Sequence, residues 1–148
     1  MSAEQEKHGK ALVARLWAVQ GVYQAMHSGQ SLAQVEQEYL YGRRELPEDE
    51  AGMPRPDGVL FKMILDGVAE RRADLEGLID AHIRKDNKEI EALLKSILLC
   101  AGWELLAQPG VDAPIIINDY LDIAHGFYQG GEVGFLNGVL DALARAVR

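Results

Sequence analysis

The chain has 148 residues, 48% of them hydrophobic and 26% charged, a composition expected of one globular domain spanning residues 1–148 with enough apolar surface for a core. Its 15 Lys and Arg against 23 Asp and Glu leave a net charge of -8, which argues against non-specific nucleic-acid binding without excluding a local basic patch. One cysteine, Cys100, excludes an intramolecular disulfide and a four-cysteine metal site, and no run of about 18 apolar residues exists to span a membrane.

Apolar residues recur at helical spacing and almost never alternate, so the fold class is all-α, with about seven helices. Met1 to Lys10 is polar and lacks an apolar h-region, so no signal peptide is expected and a cytoplasmic location fits. The first helix is predicted from about Glu4 to His27, with Leu12, Leu16, Val19, Val22, Tyr23 and Met26 as its stripe and Ser28-Gly29 as its end. Ser31, with Gln34 three residues on, forms a capping box for a short helix holding Leu32, Val35 and Tyr39. Gly42 to Gly58 carries Pro47, Pro54 and Pro56 and is the one clear loop, longer than ordinary connections.

Helix resumes near Val59, with Leu60, Ile64, Leu65 and Val68 facing inward. Asp74 is the expected cap of the next helix, which contains Leu75, Leu78, Ile79 and Ile83, and Arg84 to Lys88 is a charged connection. A long helix follows with Ile90, Leu93, Leu94, Ile97, Leu98, Ala101 and Leu105, broken by Pro109-Gly110. Asp112 caps the next helix, Pro114 sits in its first turn, and Ile116, Tyr120, Ile123, Ala124 and Phe127 form its stripe. Gly130-Gly131 makes a turn into the last helix, with Phe135, Leu136, Val139, Leu140, Leu143 and Val147. Gly134 and Gly138 are expected to let helices approach closely.

No nucleophile elbow, phosphate loop or dinucleotide fingerprint occurs, so no cofactor and no catalysis are expected. Among His8, His27, His82 and His125 no pair has zinc-helix spacing. Asp122 and His125 are half of a di-metal helix motif, with Glu104 as the one obvious inward carboxylate; a solvent-facing Asp–His pair is the plainer reading. Cys100 reads as a buried, inert thiol, and Trp17 and Trp103 as packing residues. Glu36, Glu38, Glu45, Glu48, Asp49 and Glu50 read as a solvated acidic face and loop, with an anion-mimicking decoy as the rival.

Three stretches carry a resemblance. Phe135-Leu136-Asn137-Gly138-Val139-Leu140-Asp141 closely resembles the F-V-N-G-V-L-D signature of the NusB transcription antitermination family. Ile117-Asn118-Asp119-Tyr120-Leu121-Asp122-Ile123-Ala124-His125 is similar to that family's I-N-E stretch. Ala14-Arg15, Ala18-Val19-Gln20 and Tyr23 resemble its A-R-x-x-A-V/L-Q-A-L-Y, and Trp103-Glu104-Leu105 stands where the family has Y-E-L. The resemblance implies a NusB-like all-α fold of two packed helical halves and no enzyme. It implies binding of boxA RNA together with NusE, a small-subunit ribosomal protein, and loading onto the RNA polymerase elongation complex to suppress termination, chiefly on ribosomal RNA operons. A related domain fronts some ribosomal RNA methyltransferases, and that activity is not implied here.

On that reading the RNA-binding candidates are Lys7, Lys10, Arg15, Gln20, Asn118 and Asn137, and the partner-binding candidates are Tyr23 and Phe135. The plainer alternatives are capping or interhelix hydrogen bonds for the asparagines and core packing for Tyr23. The family's arginine-rich cluster before A-R-x-x-A is Lys10-Ala11-Leu12-Val13-Ala14 here, with only Lys10 basic; a family Leu-Arg reads Leu98-Leu99, and a position commonly basic is Pro114. Each lost cation removes about one phosphate contact and about one unit of salt slope. The alternative function is therefore a NusB-like paralogue with weakened RNA binding that acts as a protein-interaction module.

Overall fold

A computed structural model describes residues 2–42, 54–83 and 90–148. Among these residues there are seven helices and no strand: α1 (Ala3–Ser28), α2 (Leu32–Gly42), α3 (Gly58–Glu70), α4 (Arg72–Ala81), α5 (Ala92–Ala107), α6 (Ala113–His125) and α7 (Glu132–Val147). They divide into two compact units, Met1–Asp66 and Gly67–Arg148. The expected Arg84–Lys88 connection, and residues 43–53 of the expected loop, lie outside the described residues.

In the first unit, α1 opens with a capping box: Gln5 N donates to Ser2 Oγ at 3.1 Å and Ser2 N to Gln5 Oε1 at 2.9 Å. It ends at Gly29, whose φ of 76° is left-handed and suits only glycine without strain. The inward face of α1 includes Val19 and Val22 of the expected stripe, both fully buried, together with Val13 and a set of small residues. Ala14, Ala18, Gly21 and Ala25 are buried, whereas Leu12, Leu16 and Met26 are half-buried. A Cβ on Gly21 would stand 3.3 Å from Val35 Cγ1, so the missing side chain admits α2. The Ser31–Gln34 capping box starts α2 as expected, with bonds of 2.9 and 3.1 Å. Asp57, which the sequence reading passed over, caps α3 by accepting from Leu60 N at 3.0 Å. Trp17, Tyr39 and Phe61 then lock α1, α2 and α3 together. Trp17 meets the other two rings edge-on at centroid distances of 5.5 and 6.0 Å, and Tyr39 stacks on Phe61 at 5.5 Å.

The second unit is built around α5. Every residue from Ser96 to Leu105 is buried, and a helix hydrophobic all round is a central one; α4, α6 and α7 pack on it. Cys100 lies within this run, fully buried, and burial pushes its thiol well up, with the Glu104 carboxylate adding to the effect. Trp103 is 8% exposed, and its indole covers Gly67, where a Cβ would sit 2.0 Å from Nε1 and Cε2.

Four expectations are corrected. Among the described residues nothing lies within 4 Å of a Cβ built on Gly134 or Gly138, so neither admits a described helix; the close approaches fall at Gly21 and Gly67. Asp74 is not the cap of α4: Arg71 holds that position and Asp74 lies in the first turn. Phe127 leaves the stripe because α6 ends at His125, and its ring is 45% exposed. Glu36 is no part of a solvated face. Its side chain is 6% exposed and meets Lys62 Nζ at 2.8 Å, because α2 lies beside α3 there. Glu38 is exposed, as expected, and accepts from Gln24 and Gln30; Glu45, Glu48, Asp49 and Glu50 lie outside the described residues.

Candidate functional site

The candidate residues fall on three helices. On α1, Lys7 and Lys10 are exposed one turn apart, so their ammonium groups project from one side of the helix. Glu4 and Glu6 in the first turn complement the helix dipole. The backbone beneath the lysines is pinned: Asp57 N donates to Lys10 O at 2.9 Å, and Gly9 packs against Pro54. Arg15 differs from both lysines. It is 3% exposed and engaged in an interaction within the protein, so its guanidinium offers no free surface to an anion.

Gln20 is half-buried, and Tyr23 is 38% exposed. The Tyr23 ring lies 4.3 Å from that of His27, tilted by 53°, one turn on. Beside this pair, Gln24 donates to Gln30 and Glu38, and Gln30 also donates to Glu38, with bonds of 2.7–2.9 Å. An exposed aromatic pair with a fixed polar rim is a surface suited to contact another molecule.

In the second unit, α6 is two-faced. Ile116, Tyr120, Ile123 and Ala124 are buried, while Asn118, Asp122 and His125 sit exposed on its outer side. Asn137 is exposed on α7 and Phe135 is half-buried. Neither asparagine makes a side-chain hydrogen bond among the described residues, so capping and interhelix bonding do not account for them. Asp122 and His125 both reach solvent, and no group of three His, Cys, Asp or Glu suited to a metal ion occurs among the described residues. Glu104 faces inward, as expected, and accepts from Tyr120 Oη at 2.6 Å. Leu99, where the resemblance places an arginine, is fully buried in α5, and Pro114 is exposed in the first turn of α6.

Two features escaped sequence reasoning. Arg148 is spent on backbone: its guanidinium donates to the carbonyls of Leu105 (2.9 Å), Gln108 (2.7 Å), Glu104 (3.3 Å) and Val111, closing the end of α5. The unpaired carbonyls that end every helix were the available signal. Tyr41, Val59, Met63, Ile115 and Phe127 are large apolar side chains left exposed; Val59 and Met63 share a face of α3 off its stripe, which periodicity marks only weakly. No helix among the described residues is long and apolar enough to cross a membrane.

The family model of the NusB family matches residues 12–145. The transcription antitermination protein NusB of Novosphingobium aromaticivorans is 33% identical over 143 residues, covering 95% of this chain and 97% of its own. That of Gluconobacter oxydans is 34% identical over 140 residues, covering 90% and 85%, respectively. Among solved structures, NusB of T. maritima superposes with a TM-score of 0.72 at 20% identity, over 90% of this chain and 89% of that one. A chain of the crystal structure of the antitermination factors NusB and NusE in complex with dsRNA reaches 0.76 at 18% identity, over 96% and 98%. The last two likenesses concern the fold.

Proposed function

The chain belongs to the NusB family, and from that premise we propose that it is a transcription antitermination factor. It binds boxA-type RNA together with NusE, the small-subunit ribosomal protein, and modifies the RNA polymerase elongation complex on ribosomal RNA operons, in the cytoplasm. The observation that carries this reading is the family match over nearly the whole chain, supported by relatives named as transcription antitermination proteins at 33–34% identity. A NusB-like fold has also been seen with NusE and double-stranded RNA. No step of this function breaks a covalent bond in the RNA; it needs only affinity, specificity and a protein partner.

The residues divide the work. Lys7 and Lys10 supply exposed positive charge for phosphates, Gln20 lies farther along α1, and Asn118 and Asn137 present free amides that can read base edges of single-stranded RNA. Arg15, being buried, offers phosphates no direct contact. Tyr23 and Phe135 serve the protein partner. The interaction is tested by fluorescence anisotropy of labelled boxA RNA, with and without NusE, at two salt concentrations. Binding that tightens with NusE and weakens with salt is the expected result; no RNA binding in either case overturns it.

One observation favours the second reading, a paralogue with weak RNA affinity. Of the cationic positions implied by the family, Leu99 is a core residue, Pro114 carries no charge and Arg15 is buried; Arg148, outside those positions, is committed to carbonyls. With two exposed lysines on α1, the salt slope is expected near about -1.4, from about 0.7 units per contact on a single strand. Capture of NusE without RNA binding would select this second reading.

A further inference from the structure

Two of the sequence motifs meet at one buried hydrogen bond. Glu104 comes from Trp103-Glu104-Leu105 and Tyr120 from the Ile117–His125 stretch; both are fully buried, and Tyr120 Oη donates to Glu104 Oε2 at 2.6 Å. The length lies at the short end of the O–H···O range. The backbone carbonyl of the same Glu104 accepts from Arg148 at the end of α7, at 3.3 Å. One residue of α5 therefore holds both of the helices that carry the asparagines.

The geometry of α6 gives this bond its reach. Tyr120 and Asn118 are two residues apart, about 200° around the helix, so they point in nearly opposite directions; Asn118 and Asp122 lie about 40° apart on the outer side. Ile116, Ile123 and Ala124, which flank Tyr120 in the core, hold α6 by burial, and Asp119, 1% exposed on the same helix, is also engaged within the protein. To these the Tyr120–Glu104 bond adds a restraint of fixed direction. Without it, a rotation of α6 by about 10° would carry a group about 6 Å from the axis through about 1 Å, beyond the roughly 0.5 Å within which a recognition group must be held.

We propose that Glu104 is a positioning residue for RNA recognition: through Tyr120 it fixes the rotation of α6 and so the direction of Asn118. The assignment rests on the reading of Asn118 as an RNA contact. It is tested on the whole protein with NusE, by the ratio of affinity for boxA RNA over a scrambled RNA of equal length, well below the melting temperature of every variant. N118A and Y120F should each lower that ratio by about 10-fold, in line with the cost of one lost base contact. The double variant should fall no further than either alone, because both remove one directed contact. E104Q, whose amide oxygen still accepts from Tyr120, should stay within about twofold of wild type, and the salt slope should be unchanged throughout, since no cation is removed. A wild-type ratio in Y120F, even with a lowered melting temperature, overturns the proposal, as do losses that add in the double variant. Wild-type protein that fails to distinguish the two RNAs is recognised before any variant is read; it removes the RNA reading and this proposal with it.

Discussion

Gly67 lies in the last turns of α3, under the indole of Trp103. Helix propensity alone says that Gly67→Ala should stabilise the protein, by up to about 1 kcal/mol. Packing says the opposite. The new Cβ would stand 2.0 Å from Nε1 and Cε2 and 2.7 Å from Cδ1, where ordinary contact begins at 3.4 Å. The ring would have to move by more than about 1 Å, and it is a rigid group, 8% exposed, in a dense core. Overpacking of this kind costs about 3 kcal/mol, leaving a net loss of about 2 kcal/mol after the propensity gain. For a chain of this size that is a fall in melting temperature of about 4–8 °C. Gly77 is the control: it is exposed in the middle of α4 with nothing within 4 Å, so Gly77→Ala should raise stability by up to about 1 kcal/mol. Urea unfolding of both variants, and of Gly67→Ala in a Trp103→Leu background, decides the matter. Gly67→Ala at or above wild-type stability would refute the packing argument. So would a loss that persists in full when the indole is replaced by the smaller leucine side chain.

Three further outcomes follow from the same contacts. Burial, then the hydrogen bond with Asp66, holds the Glu36 carboxyl above its usual value of 4.5, so across the window upward from pH 4.5 the folded protein binds more protons than the unfolded one and loses stability as pH rises. Glu36→Gln removes that loss, so its stability relative to wild type should improve between about pH 4 and pH 7; an equal difference at both pH values would contradict the assignment. Cys100 should resist a thiol reagent in native protein and react on unfolding, being fully buried with its thiol pushed up; rapid native reaction would show that α5 opens locally. Arg148→Ala should cost about 1–2 kcal/mol by uncapping the end of α5, read as a fall of roughly 2–8 °C in melting temperature, and an unchanged midpoint would show that water replaces the guanidinium at no cost.

The helices were legible because their punctuation is local. Ser31 with Gln34, Ser28-Gly29, Pro109-Gly110 and Asp112-Ala113-Pro114 announce starts and stops through backbone chemistry that needs no partner. Faces were harder. Reading α1 by hydrophobicity found Val19 and Val22, which are buried, but favoured Leu12 and Leu16 over Ala14, Ala18, Gly21 and Ala25, which are buried too, since the closeness of a neighbouring helix rewards small size. The same effect hid Gly67 and misassigned Gly134 and Gly138, because nothing local distinguishes a glycine under an indole from one facing water. Charge misled in a related way. Glu36 reads as one of a row of acids, and only the side-by-side placement of α2 and α3 brings Lys62 to it. Arg15 looks like a cation for an anion site, yet it is buried. The candidate site was therefore legible as residue types in family motifs, and its exposed subset only from the fold.

The central claim is that this protein suppresses termination by acting on boxA RNA with NusE. The most direct measurement is transcription by RNA polymerase through a terminator placed downstream of boxA, comparing readthrough with this protein and NusE together, with each alone, and on a template with scrambled boxA. The account predicts readthrough that needs both proteins and an intact boxA, and that declines in a Lys7→Ala, Lys10→Ala variant. Readthrough unchanged by adding this protein, or indifferent to the boxA sequence, would contradict it.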